Sequence, residues 1–156
     1  DIRARGAKIG SNTGYAAMMI GQLLQDAAGQ GYAPDCIITA SDVKHGRPYP
    51  EMLWKNLMEL EVSDIKAAVK VDDTAVGIAE GLNAGCWTVG LAVSGNEVGL
   101  SHAEWCALGA SEQNALKEKA YAKMRASGAH YVIDSIADLP AVLDAIEQRL
   151  AQGEKP

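Results

Sequence analysis

Two adjacent aspartates after a short apolar run constrain the fold of this chain more than any other feature of its sequence. The run, at residues 67–71, is rich in Ala and Val and predicts a buried strand that ends on Asp72 and Asp73. Apolar residues at helical spacing follow and stop at Gly85, which predicts a short helix. Acids at the carboxyl end of a parallel strand lie where open α/β sheets bind ligands, and neighbouring like charges favour a divalent cation. The alternative is that Asp72 ends the strand and Asp73 caps the helix.

Length and charge restrict the classes of protein that this chain can represent. Its 156 residues are enough for one hydrophobic core, so we expect a single domain over residues 1–156. A formal charge of -6 with scattered Lys and Arg argues against binding to nucleic acid. Because no apolar run approaches the roughly 20 residues of a membrane span and no signal segment is seen at the start, we expect no membrane association and a cytoplasmic location. The three widely separated cysteines favour reduced core thiols over a disulfide or a zinc site.

Apolar runs alternate with amphipathic segments along the rest of the chain. This alternation predicts a doubly wound, mostly parallel α/β sheet of the Rossmann-like class, covered by helices on both faces. The other strands are expected near residues 7–11, 36–40, 86–93 and 130–134. The other helices are expected near residues 16–29, 50–60, 101–127 with an interruption at 108–111, and 140–150.

Two further strand ends carry groups that suit a phosphate. Thr13 and Gly14 lie between the first strand and its helix, where backbone N–H groups can bind an anion, although Thr13 could equally cap the helix. Arg47 lies on a loop stiffened by two prolines, and its planar guanidinium suits bidentate contact with phosphate; an idle surface salt bridge is the alternative. Because strand ends converge at one edge of a parallel sheet, these groups and the acidic pair would together hold a phosphoryl group and a metal ion.

Three segments of the chain are typical of one enzyme family. They are GSNTGY at residues 10–15, GRPYPEM at residues 46–52, and residues 70–90, which begin with KVDD and end with NAGCWTVG. In these segments the chain resembles the phosphonoacetaldehyde hydrolase (phosphonatase) family of the haloacid dehalogenase superfamily. Relatives with other substrates usually carry Lys where Arg47 stands. The resemblance covers essentially the whole chain and implies a haloacid dehalogenase-like core.

The resemblance also implies roles for individual residues. Thr13, with the N–H of Gly14, would bind the phosphoryl oxygens, and Arg47 would neutralise charge that develops on the transferred group. Asp73 would ligate Mg²⁺, with Asp72 beside it as a ligand or through water. Some relatives place a second acid four residues after the first. Gly77 occupies that position here.

Two parts of the family pattern have no counterpart in the sequence. These are the Asp nucleophile near the amino terminus and the Lys of a helical cap that forms a Schiff base with the aldehyde. The resemblance therefore implies the carboxy-terminal part of the catalytic core, without its first strand and its cap. The intact enzyme would hydrolyse the carbon–phosphorus bond of phosphonoacetaldehyde, a small phosphonate, and form a homodimer through the cap. This fragment alone is expected to be inactive.

Three alternatives remain from the sequence. Another haloacid dehalogenase superfamily phosphatase or phosphomutase would have a similar core. A receiver-type signalling domain also combines acids, a hydroxyl and a cation, but it carries them in the reverse order along the chain. A non-catalytic binding or scaffold fragment would bind neither phosphate nor metal.

Overall fold

The computed structural model describes residues 2–156 and contains parallel strands that alternate with helices. The strands are β1 (Gly10–Thr13), β2 (Cys36–Thr39), β3 (Val69–Asp72), β4 (Trp87–Leu91) and β5 (Tyr131–Ile133). The α-helices are α1 (Ala17–Gly29), α2 (Glu51–Glu59), α3 (Ala75–Ala84), α4 (His102–Ala107), α5 (Ala110–Ala126) and α6 (Leu139–Ala151). This order confirms the alternation predicted from the sequence, including the interruption between α4 and α5.

The first strand begins later than the sequence predicts. Residues 7–9 lie outside β1, because Ile9 is bonded to the turn before β2 and not to a strand. The N–H of Ile9 donates to the Asp35 carboxylate at 2.7 Å, and its carbonyl accepts from the Asp35 N–H at 2.7 Å. The strand therefore starts at Gly10 and ends at Thr13, the residue before Gly14.

The strands are parallel but form two sheets. One sheet contains β1 and β2, and the other contains β3, β4 and β5 in that order. Within the described residues, β1 and β3 are not hydrogen-bonded to each other. The predicted parallel α/β class is confirmed. The division into two sheets fits the expectation that a strand of the family core is not in this chain.

The hydrophobic core follows β4, the middle strand of the larger sheet. Trp87 and Val89 are fully buried and pack with Val142 and Ile146 of α6. Met124 of α5 belongs to a separate buried cluster, together with Ala92, the residue that follows β4. A strand covered on both faces needs the nearly continuous apolar run that β4 has. No helix within residues 2–156 is long and apolar enough to cross a membrane.

The cysteines are all free thiols. Cys86 is buried and Cys36 is partly buried, as predicted for core thiols, but Cys106 is exposed on α4. Burial raises the pKa of the Cys86 thiol to about 11. The thiol of Cys86 is therefore protonated and unreactive at neutral pH.

The two sheets are joined by contacts between α3 and the elements after β2. Trp54 Nε1 of α2 donates to the Ala84 carbonyl at 3.4 Å, and Asn83 Nδ2 donates to the Pro48 carbonyl at 2.9 Å.

Helix α3 ends at Gly85, whose φ of 85° is left-handed, so the predicted helix stop is confirmed. The helix begins at Thr74, whose hydroxyl accepts from the Gly77 N–H. The alternative that Asp73 caps this helix is therefore wrong.

Helix α3 packs very closely on the larger sheet at Gly81. A Cβ atom at this position would lie 2.6 Å from Thr88 Cγ2 and 2.8 Å from Lys70 Cβ. A side chain at residue 81 would push the helix away from the strands that carry Lys70 and Thr88.

We predict that Gly81→Ala lowers the free energy of unfolding by about 1–3 kcal/mol, because the added methyl group overpacks the interface. Gly21→Ala is the matched control: within the described residues nothing lies within 4 Å of a Cβ at Gly21. In that helix interior, alanine is expected to raise stability by about 0.5–1 kcal/mol. Urea unfolding measures both values. Equal effects of the two substitutions would contradict the close packing of α3.

Candidate functional site

A cluster of charged side chains lies between the two sheets, at the carboxyl ends of β1 and β3. We call it the charge cluster, and its members are Arg47, Lys70, Asp72 and Glu80, with the Asn12 side chain among them. These residues come from four separate segments: β1, the loop before α2, β3 and α3. The cluster thus connects both sheets at the edge where the sequence predicts a phosphate and metal site.

Arg47 is held by three neighbours. Its Nε donates to Glu80 Oε2 at 3.1 Å, and its Nη2 donates to the Asn12 carbonyl at 3.0 Å and to Asn12 Oδ1 at 2.9 Å. Its Nη1 lies 3.4 Å from Asp72 Oδ2. The side chain is 20% exposed, so the alternative of an idle surface salt bridge is wrong.

Lys70 is the second cation of the cluster. Its Nζ donates to Asn12 Oδ1 at 2.7 Å and lies 3.1 Å from Asp72 Oδ2 and 3.0 Å from Glu80 Oε2. Lys70 is 7% exposed and Glu80 is fully buried. Burial of a charge without a partner is very costly, so the two cations and the two carboxylates must be buried together. The two positive charges of the cluster equal its two negative charges in number.

Asp72 points into the protein and is fully engaged by it. Its Oδ1 accepts from the Thr74 N–H at 3.0 Å and from the Thr74 hydroxyl at 2.7 Å, while Oδ2 faces both cations. Burial raises the pKa of the Asp72 carboxyl, but Lys70, Thr74 and Arg47 together outweigh burial and hold this pKa below its usual value. A Cβ atom at Gly77 would overlap the carboxyl group. Asp72 therefore fills the space that a side chain at residue 77 would need.

Asp73 lies outside the charge cluster. Its Oδ2 accepts from the Asn96 N–H at 3.0 Å, in the loop after β4, and Gly95 packs against its Cβ. Its other oxygen makes no hydrogen bond within residues 2–156. Asp73 therefore retains a carboxylate oxygen for a ligand, whereas both oxygens of Asp72 are used.

Thr13 and Gly14 lie at the end of β1, next to Asn12. Thr13 Oγ1 accepts from the Tyr15 N–H at 3.2 Å, and Gly14 is exposed. Helix α1 begins after Ala16, whose side chain cannot cap it, so the alternative that Thr13 caps α1 is wrong. In the described residues Thr13 makes no hydrogen bond to Arg47 or Asp73, although Arg47 donates to the carbonyl of Asn12, the residue before it.

The loop that carries Arg47 is anchored at both ends. The Glu51 carboxylate accepts from the backbone N–H groups of Lys44 and His45, at 3.0 and 2.9 Å, and it lies 2.6 Å from His45 Nδ1. Hydrogen bonds from His45 and Lys44 hold the pKa of the Glu51 carboxyl below its usual value. The His45 side chain is thus bonded to Glu51 within the loop, and in the described residues it makes no hydrogen bond to the charge cluster.

Sequence reasoning missed Asn12, Lys70 and Glu80. Lys70 interrupts a Val-rich strand, and Glu80 lies on the buried face of α3 among Gly and Ala residues. A charged residue inside an apolar run must have a partner if the run is buried. That rule identifies both residues as paired, but it does not identify their partners.

Asp73 is the carboxylate at this edge that keeps an oxygen without a hydrogen bond in the described residues. In the part of the chain that the structure describes, no three His, Cys, Asp or Glu side chains form a metal-binding group. Mg²⁺ is commonly held by one or two carboxylates together with waters and substrate oxygens, so a single carboxylate fits part of such a site. Two surface hollows, of about 290 and 480 Å³, are lined by other elements and by none of the predicted site residues.

No family model matches the chain, but comparisons with known proteins find relatives that cover almost all of it. It is 52% identical over 155 residues to a phosphonoacetaldehyde hydrolase of Hahella chejuensis, and 50% identical over 156 residues to one of Vibrio cholerae. Each match covers 99% of the chain but 53% and 58% of these relatives. The chain therefore spans little more than half of their length.

Solved structures agree with this relationship. A phosphonoacetaldehyde hydrolase-like protein of Oleispira antarctica is 49% identical with a TM-score of 0.97, over 99% of this chain and 56% of that chain. A haloacid dehalogenase (HAD) family hydrolase of Deinococcus radiodurans, with bound phosphate and sodium, is 28% identical with a TM-score of 0.62, over 94% and 56%. Both proteins extend well beyond the segment that this chain matches.

We predict that Asp72→Asn destabilises the protein by about 3 kcal/mol at neutral pH, because it leaves two cations with one carboxylate. The folded-state pKa of Asp72 is lowered, so its stabilisation is complete above the unfolded-state pKa of about 3.9 and is lost as the pH falls through the folded-state value. Urea unfolding from neutral pH down to about pH 3 should therefore show a shrinking difference between the two proteins. A difference that grows in acid would contradict this assignment.

Proposed function

We propose that this chain, a homologue of part of the phosphonoacetaldehyde hydrolases with the fold of the haloacid dehalogenase superfamily, forms the phosphate- and metal-binding part of such a hydrolase. The observation that carries the proposal is the position of Arg47. Its guanidinium is held beside Asp72, and Asp73 follows directly at the end of β3. A cation for phosphate and a carboxylate for metal thus lie at the same edge of the fold.

The proposed reaction is hydrolysis of the carbon–phosphorus bond of phosphonoacetaldehyde to acetaldehyde and phosphate. Thr13 and the N–H of Gly14 bind phosphoryl oxygens, and Arg47 stabilises the negative charge that develops on the transferred group. An Asp nucleophile takes the phosphoryl group, and a Lys Schiff base accepts the electron pair of the broken bond as an enamine. Water then hydrolyses the aspartyl phosphate to phosphate, and protonation of the enamine carbon followed by hydrolysis of the imine releases acetaldehyde and the Lys amine. This Asp and this Lys both come from outside residues 1–156. The proposal also includes a homodimer formed through the cap.

The charge balance of the cluster supports a metal ion. Arg47 and Lys70 are already neutralised by Asp72 and Glu80, so a phosphonate brings negative charge that these residues do not compensate. Mg²⁺ held by Asp73 would supply that charge and act as a Lewis acid on a phosphoryl oxygen. The Deinococcus radiodurans hydrolase of similar fold holds phosphate and sodium, which supports the binding of a phosphate by a protein of this fold.

We predict that the complete protein hydrolyses phosphonoacetaldehyde and that Arg47→Lys lowers its kcat/KM about 100-fold, because Lys lacks the planar donor pair. Arg125→Lys is the matched control. Arg125 lies on α5, over the Tyr121 ring, and is outside the charge cluster. A coupled assay of acetaldehyde release measures both variants.

Two outcomes would contradict this function. Hydrolysis of sugar phosphates with no action on phosphonoacetaldehyde would favour a phosphatase or phosphomutase. Equal losses of kcat/KM in the Arg47→Lys and Arg125→Lys variants would contradict the assignment of Arg47 to the phosphate site.

We predict that a chelator abolishes this activity and that Mg²⁺ restores it. Asp73→Asn should raise the Mg²⁺ concentration needed for half-maximal activity by roughly 10-fold or more, because the substitution removes a charged ligand. Asp64→Asn, at a side chain that is 61% exposed and lies before β3, at the opposite end of that strand from Asp73, should leave this concentration unchanged. Isothermal titration with Mg²⁺ provides a second measurement. Unaltered Mg²⁺ affinity in Asp73→Asn would exclude Asp73 as a ligand.

A further inference from the structure

We propose that Glu80 is a positioning residue that fixes the Arg47 guanidinium, so that Nη1 is the nitrogen left to meet the phosphoryl group. This inference rests on the proposed function, because it takes Arg47 to be a phosphate ligand. Glu80 itself is fully buried and would not contact the substrate. It would act only through Arg47.

The donors of Arg47 can be counted one by one. A guanidinium has five N–H groups in one rigid plane. The Nε group donates to Glu80 Oε2, and the two Nη2 groups serve the Asn12 carbonyl and Asn12 Oδ1. The two remaining donors are on Nη1, which faces Asp72 on the side of the acidic pair. The orientation of the guanidinium is thus set by three hydrogen bonds to the protein, one to Glu80 and two to Asn12.

Glu80 is itself unable to turn away from Arg47. Its Oε1 accepts from Asn12 Nδ2 at 2.9 Å, while its Oε2 is shared by Arg47 Nε and Lys70 Nζ at 3.1 and 3.0 Å. Rotation of the carboxylate would break the contacts of Oε2 with both buried cations and leave Asp72 as their remaining charged partner. The carboxylate is therefore a fixed acceptor, and Asn12 and Lys70 hold it in place.

The backbone beneath Glu80 is equally constrained. Helix α3 is capped at Thr74 and lies against β3 and β4 at the neighbouring Gly81. A positioning group on a rigid helix holds its partner more accurately than one on a loop. This matters for Arg47, because its own loop is exposed on one side and is anchored through Glu51 and Asn83.

The first test uses NMR of the arginine Nε–H groups in the complete protein. The Arg47 Nε–H should exchange slowly with water, and its signal is assigned by its loss in Arg47→Lys. In Glu80→Gln this exchange should become at least about 10-fold faster, because the buried charged acceptor is gone. Inorganic phosphate, titrated by calorimetry, should bind more weakly to Glu80→Gln than to the unaltered protein. Unchanged exchange of the Arg47 Nε–H would overturn the proposal.

The second test is a double-mutant cycle on kcat/KM for phosphonoacetaldehyde. Glu80→Gln should lower kcat/KM by roughly 10- to 100-fold, because misorientation of a reacting group is costly. Arg47→Lys should then cost less than about 10-fold in the Glu80→Gln background, since both changes disturb one group. Losses that simply multiply would show that Glu80 supports the fold alone.

Controls separate the possible failures. Glu154→Gln removes a comparable acceptor, because Glu154 Oε2 accepts from Arg149 Nε at 2.7 Å away from the cluster. It should accelerate exchange of the Arg149 Nε–H and leave the exchange of the Arg47 Nε–H and kcat/KM unchanged.

If Glu80→Gln does not fold, Glu80→Asp keeps the charge but shortens the side chain, and it should also accelerate exchange of the Arg47 Nε–H. A protein inactive on phosphonoacetaldehyde refutes the proposed function, while the exchange and phosphate measurements still decide the role of Glu80.

Discussion

The burial of two cations with two carboxylates between α3 and the strand ends is the interaction on which the rest of this structure depends. Arg47, Lys70, Asp72 and Glu80 come from segments far apart in the chain, yet each has its partners within hydrogen-bond distance or close to it. Because an unpaired charge cannot remain in such a place, the position of each segment is tied to the others. The same contacts connect the two sheets, which share no backbone hydrogen bonds in the part of the chain described.

Local features of the fold were predictable from the sequence, and non-local partners were not. Gly85 ends α3 in the left-handed conformation that the sequence pattern indicates, because a helix stop depends on a few neighbouring residues. The pair of Arg47 and Glu80 is separated by 33 positions, and no spacing rule connects them. The motifs correctly indicated the proteins to which this chain is similar, and they lie at the strand ends. Which charged groups face each other at those ends depends on packing between elements.

The two neighbouring aspartates are equivalent in the sequence but different in the structure. Alternate residues of a strand point to opposite faces, so Lys70 and Asp72 share one face of β3 and meet within the charge cluster. Asp73 lies one residue beyond the strand, where the loop after β4 supplies the Asn96 N–H. Thr74, which also suits a helix cap, takes that role, so Asp73 does not cap the helix and one of its oxygens has no hydrogen bond in the described residues. The different environments of the two aspartates thus follow from the two-residue period of the strand and from the position at which the strand ends.

The contact between Gly77 and Asp72 restricts how this site can change in evolution. A side chain at residue 77 and a carboxylate at residue 72 would occupy the same space at the start of α3. An acid can therefore move from one position to the other only through a variant that has lost the carboxylate at 72 first. The two positions are therefore coupled, and a side chain at residue 77 requires a residue at position 72 that leaves this space free.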